Sequence, residues 1–196
     1  MRELILKMSI SIDGFVASAD GGAKWVFETR DDNAAEWTVK TIWDASLHIM
    51  GGRTFRDMAA YWPTSTAVYA PPMNQIPKAV FSKQGASILP GTSTAAALQP
   101  GADSWAQAYV ATGDLGEEIA KLKARDGKPI IAHGGASFAR SLVALGLVDR
   151  YVLLVHPVAL GKGLPLFAGL PAQRTFKLVS STTFAGSAVA QVYRPA

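Results

Sequence analysis

The segment RYVLLVHP, residues 150–157, is apolar almost without interruption. A strand with one wet face alternates apolar and polar residues, whereas a strand covered on both faces does not need to. This run therefore demands a sheet with helices packed on both sides. The remainder of the chain alternates in a way that supplies them. ELILKMSIS reads as a strand and ends at the turn signal Asp13-Gly14. In DDNAAEWTVKTIWDAS the residues Ala35, Val39, Ile42 and Trp43 recur at helical spacing behind an Asp/Asn start. SLHIM is a short strand leading into GGRTF, and TFRDMAAYW is a helix that Trp62-Pro63 stops.

KAVFSK and AQAYVAT are further strands, separated by a segment over 84–104 that is rich in Gly, Ser, Thr, Ala and Pro and predicts a loop insertion. GDLGEEIAKLKARDG has Asp114 as N-cap, Glu117 three positions later, an apolar face at Leu115, Ile119 and Leu122, and Gly127 as its stop. KPIIAH is a strand, and ASFARSLVALG a helix with Phe138, Leu142 and Leu145 on one face and Gly146 at its end. RTFKLVSSTTFAGSAVAQVYRP predicts an antiparallel hairpin around Ala-Gly-Ser. Together these give a single three-layer αβα domain over 1–196, with a mostly parallel central sheet and an antiparallel C-terminal hairpin.

Composition narrows the function. The chain has no cysteine, which removes thiolate zinc sites and cysteine nucleophiles. Its formal charge of +4 comes from scattered Lys and Arg, so no nucleic-acid surface is expected, and the excess also suits a phosphorylated small ligand. The N-terminus has no cleavage-site pattern and no apolar run reaches membrane-spanning length, so the expectation is a cytoplasmic protein with no membrane partner. The three histidines sit on separate strands without acidic neighbours at ligand spacing, and no metal site is expected.

On sheets of this kind ligands bind beyond the carboxyl ends of the strands. Three strand exits there suit a dinucleotide: Gly51, Gly52, Arg53 and Thr54; Ser82 and Lys83; and Gly134 and Gly135. Glycines let backbone N–H groups approach a pyrophosphate, and Arg53 offers the forked donors that a 2'-phosphate needs, so NADPH is favoured over NADH. Each turn is equally a tight connection by itself. No G-x-G-x-x-G or P-loop pattern occurs. Trp25, after DGGAK, is the tryptophan expected to stack on a flat heterocycle; Trp43 is expected in a packing role and Trp62 as a helix-end anchor.

ELILKMSISIDGFVA, IMGGRTFRDMAAYWP, KAVFSK and HGGASFARSLVALGLVDRYVLLVHPVALGKGLPLF resemble the dihydrofolate-reductase-like superfamily, and within it the reductase domain of the riboflavin-biosynthesis deaminase-reductase. The resemblance implies a homodimeric, NADPH-dependent reductase. It places Gly52, Arg53 and Thr54 at the cofactor phosphates, Ser82 and Lys83 near the adenosine, and Gly134, Gly135, Ala136 and Ser137 along the pyrophosphate and nicotinamide ribose. Asp13, Gly14, Gly161, Lys162 and Gly163 would border the substrate pocket. Reduction of C=N or C=O also needs a proton donor. Glu36 on the first long helix and Asp13 are the acid candidates, although Glu36 with Lys40 also reads as a surface ion pair and Asp13 as a turn residue. The zinc deaminase signature is missing, and only Lys24 is basic around SIDGFVASADGGAKW, so a phosphoribosyl substrate is not favoured. A pterin- or pyrimidine-like heterocycle, or a small carbonyl compound, is the expected substrate class. A ligand-binding protein without turnover and a structural dimer are the alternatives.

Overall fold

A computed structural model describes residues 1–29, 31–91 and 97–196. In chain order the first half forms β1 (Leu4–Ser11), β2 (Phe15–Ser18), α1 (Trp25–Glu28), α2 (Asp32–Trp43), β3 (Leu47–Gly51), α3 (Gly52–Tyr61), α4 (Ala70–Gln75) and β4 (Lys78–Phe81). The second half adds β5 (Tyr109–Ala111), α5 (Leu115–Ala124), β6 (Ile130–Ala132), α6 (Ala136–Ala144), β7 (Arg150–His156), β8 (Gly163–Pro165), β9 (Phe176–Thr183) and β10 (Val189–Pro195). Eight strands make the main sheet in the order β5-β4-β3-β6-β1-β7-β10-β9. The first six run parallel, and β10 and β9 close the edge as an antiparallel hairpin.

The pleat of each parallel strand divides its side chains between two cores. Leu4, Leu6, Met8 and Ile10 of β1, with Tyr151 and Leu153 of β7, pack on Ile119 and Leu122 of α5 and Leu142 and Val143 of α6. Ile5, Met50, Ile131 and Val152 face the other way, onto Ile42, Phe55 and Met73 from α2, α3 and α4. The sheet thus has helices on both faces, as the apolar run at 150–157 requires.

Local chemistry accounts for several boundaries. Asp31 caps α2 by accepting from Ala34 N–H, and Asp114 caps α5 by accepting from Gly116 and Glu117 N–H. Gly146, at φ +69°, ends α6 in the left-handed region, with Leu147 N–H bonded back to Leu142 C=O. Gly127, by contrast, does not stop α5, which already ends at Ala124 with an extended Arg125. Leu145 is 57% exposed; the buried stripe of α6 is Ala139, Leu142 and Val143. On α2 the buried positions are Ala34, Ala35, Thr38 and Ile42, while Trp43 is exposed rather than packed.

Sequence patterning misses the short elements. β2 and β8 pair with each other in a separate two-stranded sheet, with Gly163 pressed on the Ala17 carbonyl. Pro71 lies in the first turn of α4, where a missing N–H costs nothing, so the proline pair starts a helix instead of breaking one. Part of 84–104 is firmly built: 3-10 turns occupy Gly85–Ile88 and Ala102–Trp105, and Trp105 is fully buried. Trp105 Nε1–H donates to Asn74 Oδ1, and Lys78 Nζ, beneath the Trp105 ring, donates to the Asn74 carbonyl. Residues 92–96 of the expected loop lie outside the described residues.

These burials set a stability contrast on one helix. Leu142→Ala is expected to lower unfolding free energy by about 3 kcal/mol, and Leu145→Ala by less than about 0.5 kcal/mol. Urea denaturation of the two variants checks this; equal losses would contradict the assigned face.

Candidate active site

The pleat that builds the second core also builds a cavity at the carboxyl end of the sheet. Beyond Ile5, the α2-facing side of β1 carries Lys7, Ser9 and Ser11, and in the register of β1 with β7 Ser9 pairs with Leu154 and Ser11 with His156. His133, directly after β6, lies on the same side as Ile131. Lys7, His133, Leu154 and His156 therefore line one cavity of about 390 Å³ between the sheet and α2. Its walls are otherwise largely apolar, including Val16, Val26, Ala34, Ile42, Met58 and Met73.

The charges in this cavity are unusual. Lys7 Nζ has no hydrogen-bond or ion-pair partner among the described residues, and burial lowers its pKa to about 8. Asp31 is the only carboxylate on the wall among the described residues, and both of its oxygens are used, Oδ1 by Ala34 N–H and Oδ2 by Gly186 N–H. The Thr38 Oγ1 and His156 Nε2 atoms are buried without a partner among the described residues. His156 Nδ1 lies 2.8 Å from Thr29 Oγ1, and His133 Nε2 lies 2.8 Å from His48 Nδ1. Desolvation, then the Lys7 charge, lowers the His156 pKa to about 4. Desolvation, then His48 and Lys7, holds His133 well below its ordinary value.

The two glycine turns come together beside this cavity. A Cβ on Gly135 would stand 2.8 Å from Thr54 Oγ1, and one on Gly134 would stand 3.2 Å from the Met8 sulfur. Gly134 also has φ +88° and joins Gly135 through a cis peptide bond. A Cβ on Gly51 would meet Phe138, and one on Gly52 would meet Ser82 Oγ. These glycines are thus already required by the contact of α3, α6 and the β4 exit with one another. What remains open to a ligand is the start of each helix: neither Gly51 before α3 nor Gly135 before α6 supplies a side-chain cap, unlike Asp31 and Asp114. Ala136 and Ser137 form the first turn of α6. Arg53 is exposed, makes no hydrogen bond or ion pair among the described residues, and reaches the 20–22 turn near Gly21. Lys83 instead folds onto the carbonyls of Thr112 and Gly113.

The acid candidates do not reach the cavity. Glu36 is exposed and bound to Lys40 at 3.0 Å, because its position on α2 faces away from Ala34, Ala35 and Thr38. Asp13 is exposed beside Gly14 and accepts from Ser11 Oγ and from the N–H groups of Leu160 and Gly161, so its carboxylate clips the 157–162 loop to the end of β1. The Ser11 hydrogen bond is the largest cause of its lowered pKa. Lys162 is exposed on that loop, and Gly163 pairs with Ser18. Trp25 is buried and meets the His156 ring edge-on at 5.3 Å; it supports that imidazole and does not line the cavity. Lys7 and Thr38 are not singled out by the sequence, and His133 and His156 were weighed there and set aside as metal ligands. The alternation of Lys7, Ser9 and Ser11 against Met8 and Ile10 was the available signal.

All three histidines have depressed pKa values, His48 to about 3 chiefly by desolvation. Folded rings therefore stay neutral below about pH 6.5, where unfolded rings take up protons. Stability should fall as pH drops from about 6.5 to about 5, approaching about 1.4 kcal/mol per pH unit for each histidine. Urea unfolding across that window measures the slope; a flat or rising stability would contradict it.

Residues 2–190 match the RibD C-terminal domain family. Protein YyaP of Bacillus subtilis (strain 168), itself uncharacterized, is 29% identical over 194 residues, covering 98% of this chain and 94% of its own. A putative riboflavin biosynthesis protein from Shewanella sp. PV-4 superposes with a TM-score of 0.71 at 20% identity, covering 99% of both chains. Dihydrofolate reductase from Enterococcus faecalis, solved with NADP(H), shares the fold at a TM-score of 0.60 and 11% identity, over 98% of this chain and 96% of that one. Among the described residues no helix is long and apolar enough to cross a membrane, and no group of acidic and histidine side chains could hold a metal ion. The order of strands, the paired glycine turns and the match over nearly the whole sequence place this chain in the RibD C-terminal domain family, on a dihydrofolate-reductase-like fold.

Proposed function

We propose that the chain is an NADPH-dependent reductase that delivers hydride to a C=N or C=O carbon of a small pterin- or pyrimidine-like heterocycle. One observation carries this reading: the uncapped starts of α3 and α6 converge on the residues that bound the cavity, since Met8 and His133 line it and Gly134 abuts Met8. Two helix N-termini with free first-turn N–H groups favour phosphate oxygens. Residues Gly51 to Thr54 and Gly134 to Ser137 would hold the dinucleotide's phosphates, with Ser82 and Lys83 at its adenosine end. Arg53, exposed and without a hydrogen bond or ion pair among the described residues, suits a 2'-phosphate. The family match and the NADP(H)-bound fold neighbour support the same choice.

When bound, the cofactor supplies hydride. The chain's own task is to admit a flat ring, exclude water with the apolar walls, and give a proton to the heteroatom that gains electrons. Lys7 suits that last role: it lines the cavity, its Nζ has no competing partner among the described residues, and at a pKa of about 8 it is both largely protonated at neutral pH and more acidic than an ordinary lysine.

Titration of the protein with NADPH and NADH, followed by thermal shift, tests the cofactor assignment. NADPH should stabilise more than NADH, and Arg53→Ala should weaken NADPH about tenfold or more while leaving NADH unchanged. No response to NADPH, or equal losses for both, would overturn it. With a pterin, folate or aminopyrimidine that turns over, Lys7→Met should lower kcat about a hundredfold or more without weakening NADPH; an unchanged kcat would remove Lys7 from the reaction.

A further inference from the structure

Hydrogen-bond bookkeeping around the cavity fixes which ring nitrogens carry protons. A backbone carbonyl can only accept, so His48 Nε2–H donates to Pro72 C=O at 3.0 Å. In a neutral ring His48 Nδ1 is then a lone pair, and it accepts from His133 Nε2–H. His133 Nδ1 is therefore unprotonated, and it makes no hydrogen bond among the described residues. On the far side, the Thr29 hydroxyl donates its one proton to the Trp25 carbonyl, so it accepts from His156 Nδ1–H. His156 Nε2 is then also a lone pair, buried and without a partner among the described residues. Two chains of hydrogen bonds, anchored on two different backbone carbonyls, leave the same group on each ring.

We propose that His133 and His156 are specificity-determining residues that each offer an imidazole lone pair to an N–H or O–H donor on the substrate, with His48 as the positioning residue that fixes the His133 tautomer. The inference rests on reading the cavity as the substrate site and needs no cofactor. Among the described residues the wall around the two acceptors supplies one cationic donor, Lys7, the buried unpartnered hydroxyl of Thr38, and one carboxylate, Asp31, whose two oxygens each already accept a backbone N–H. A ligand that matches this pattern is uncharged, presents at least two donors, and places a carbonyl oxygen toward Lys7. A protonated amidine is disfavoured: it meets the Lys7 charge, and the Asp31 carboxylate that could pair with it is already engaged by the Ala34 and Gly186 N–H groups.

Two flat probes of the same ring system separate these cases: pteridine-2,4-dione, with two N–H donors flanking a carbonyl, and pteridine-2,4-diamine, which binds acidic sites as a cation. Long-range proton–nitrogen NMR on isotope-labelled protein reads the tautomers directly. The expected pattern is Nε2–H on His48 and His133 and Nδ1–H on His156. Adding the dione should shift the two unprotonated nitrogens, and the dione should bind about tenfold or more tightly than the diamine. His156→Phe should weaken the dione about tenfold and leave the diamine unchanged. In His48→Leu, His133 should become a mixture of tautomers, which loss of packing alone would not produce. A different tautomer on His133 or His156, or diamine binding at least equal to dione binding, overturns the proposal. NADPH binding is independent of these readouts, so a chain that responds to NADPH but shows the opposite tautomers loses this inference alone.

Discussion

The pleat of β1 is the constraint on which the rest of the molecule depends. Its even-numbered side chains from Leu4 to Ile10 are locked into the α5/α6 core, which fixes the direction in which Lys7 and Ser9 must point. A one-residue slip would bury the ammonium among leucines and carry Leu6 and Met8 out of the α5/α6 core. The parallel pairings to β6 and β7 transmit the same phase to His133 and His156. Packing on one face of the sheet thus places the chemistry on the other, and the site needs no elaborate loop to assemble it.

The glycine pairs show how one feature can answer to two demands. Gly134 and Gly135 are short of space because of Met8 and Thr54, contacts internal to the chain. Their smallness lets α3 and α6 start side by side, and it is that convergence which leaves two positive helix ends at the edge of the cavity. The capping pattern separates the functional ends of helices from the structural ones: Asp31 and Asp114 close α2 and α5, while α3 and α6 begin with glycine.

Much of the fold was legible because long elements advertise their period. Both principal capped helices, the apolar β7 run and the closing hairpin follow from spacing and turn chemistry alone. β2, β8 and α4 were not, since three or four paired residues, or one turn begun by proline, give no period to read. The strand-exit turns were found from the rule that ligands gather at carboxyl ends of parallel strands. The cavity groups were harder. The acid expected on α2 is off its buried face, since Glu36 stands about 100° past Ala35 and about 200° past Ala34, and the polar atom α2 does bury is Thr38 Oγ1. Histidines on separate strands look unrelated in a sequence; only the register that aligns Ser11 with His156, and the adjacency of β3 and β6, reveals that they surround one space.

Asp31 has a mechanical consequence beyond its cap. One oxygen holds the start of α2 and the other holds Gly186 in the turn of the C-terminal hairpin, so the helix and the last two strands form a single braced wall. Phe27, Tyr61 and Val68, which also line the cavity, are exposed apolar side chains with no such brace among the described residues. Loosely held segments open at lower free energy than braced ones. The Asp31 clasp ties the last stretch of the chain to a helix drawn from its first quarter, so whatever loosens the hairpin turn also loosens the start of α2.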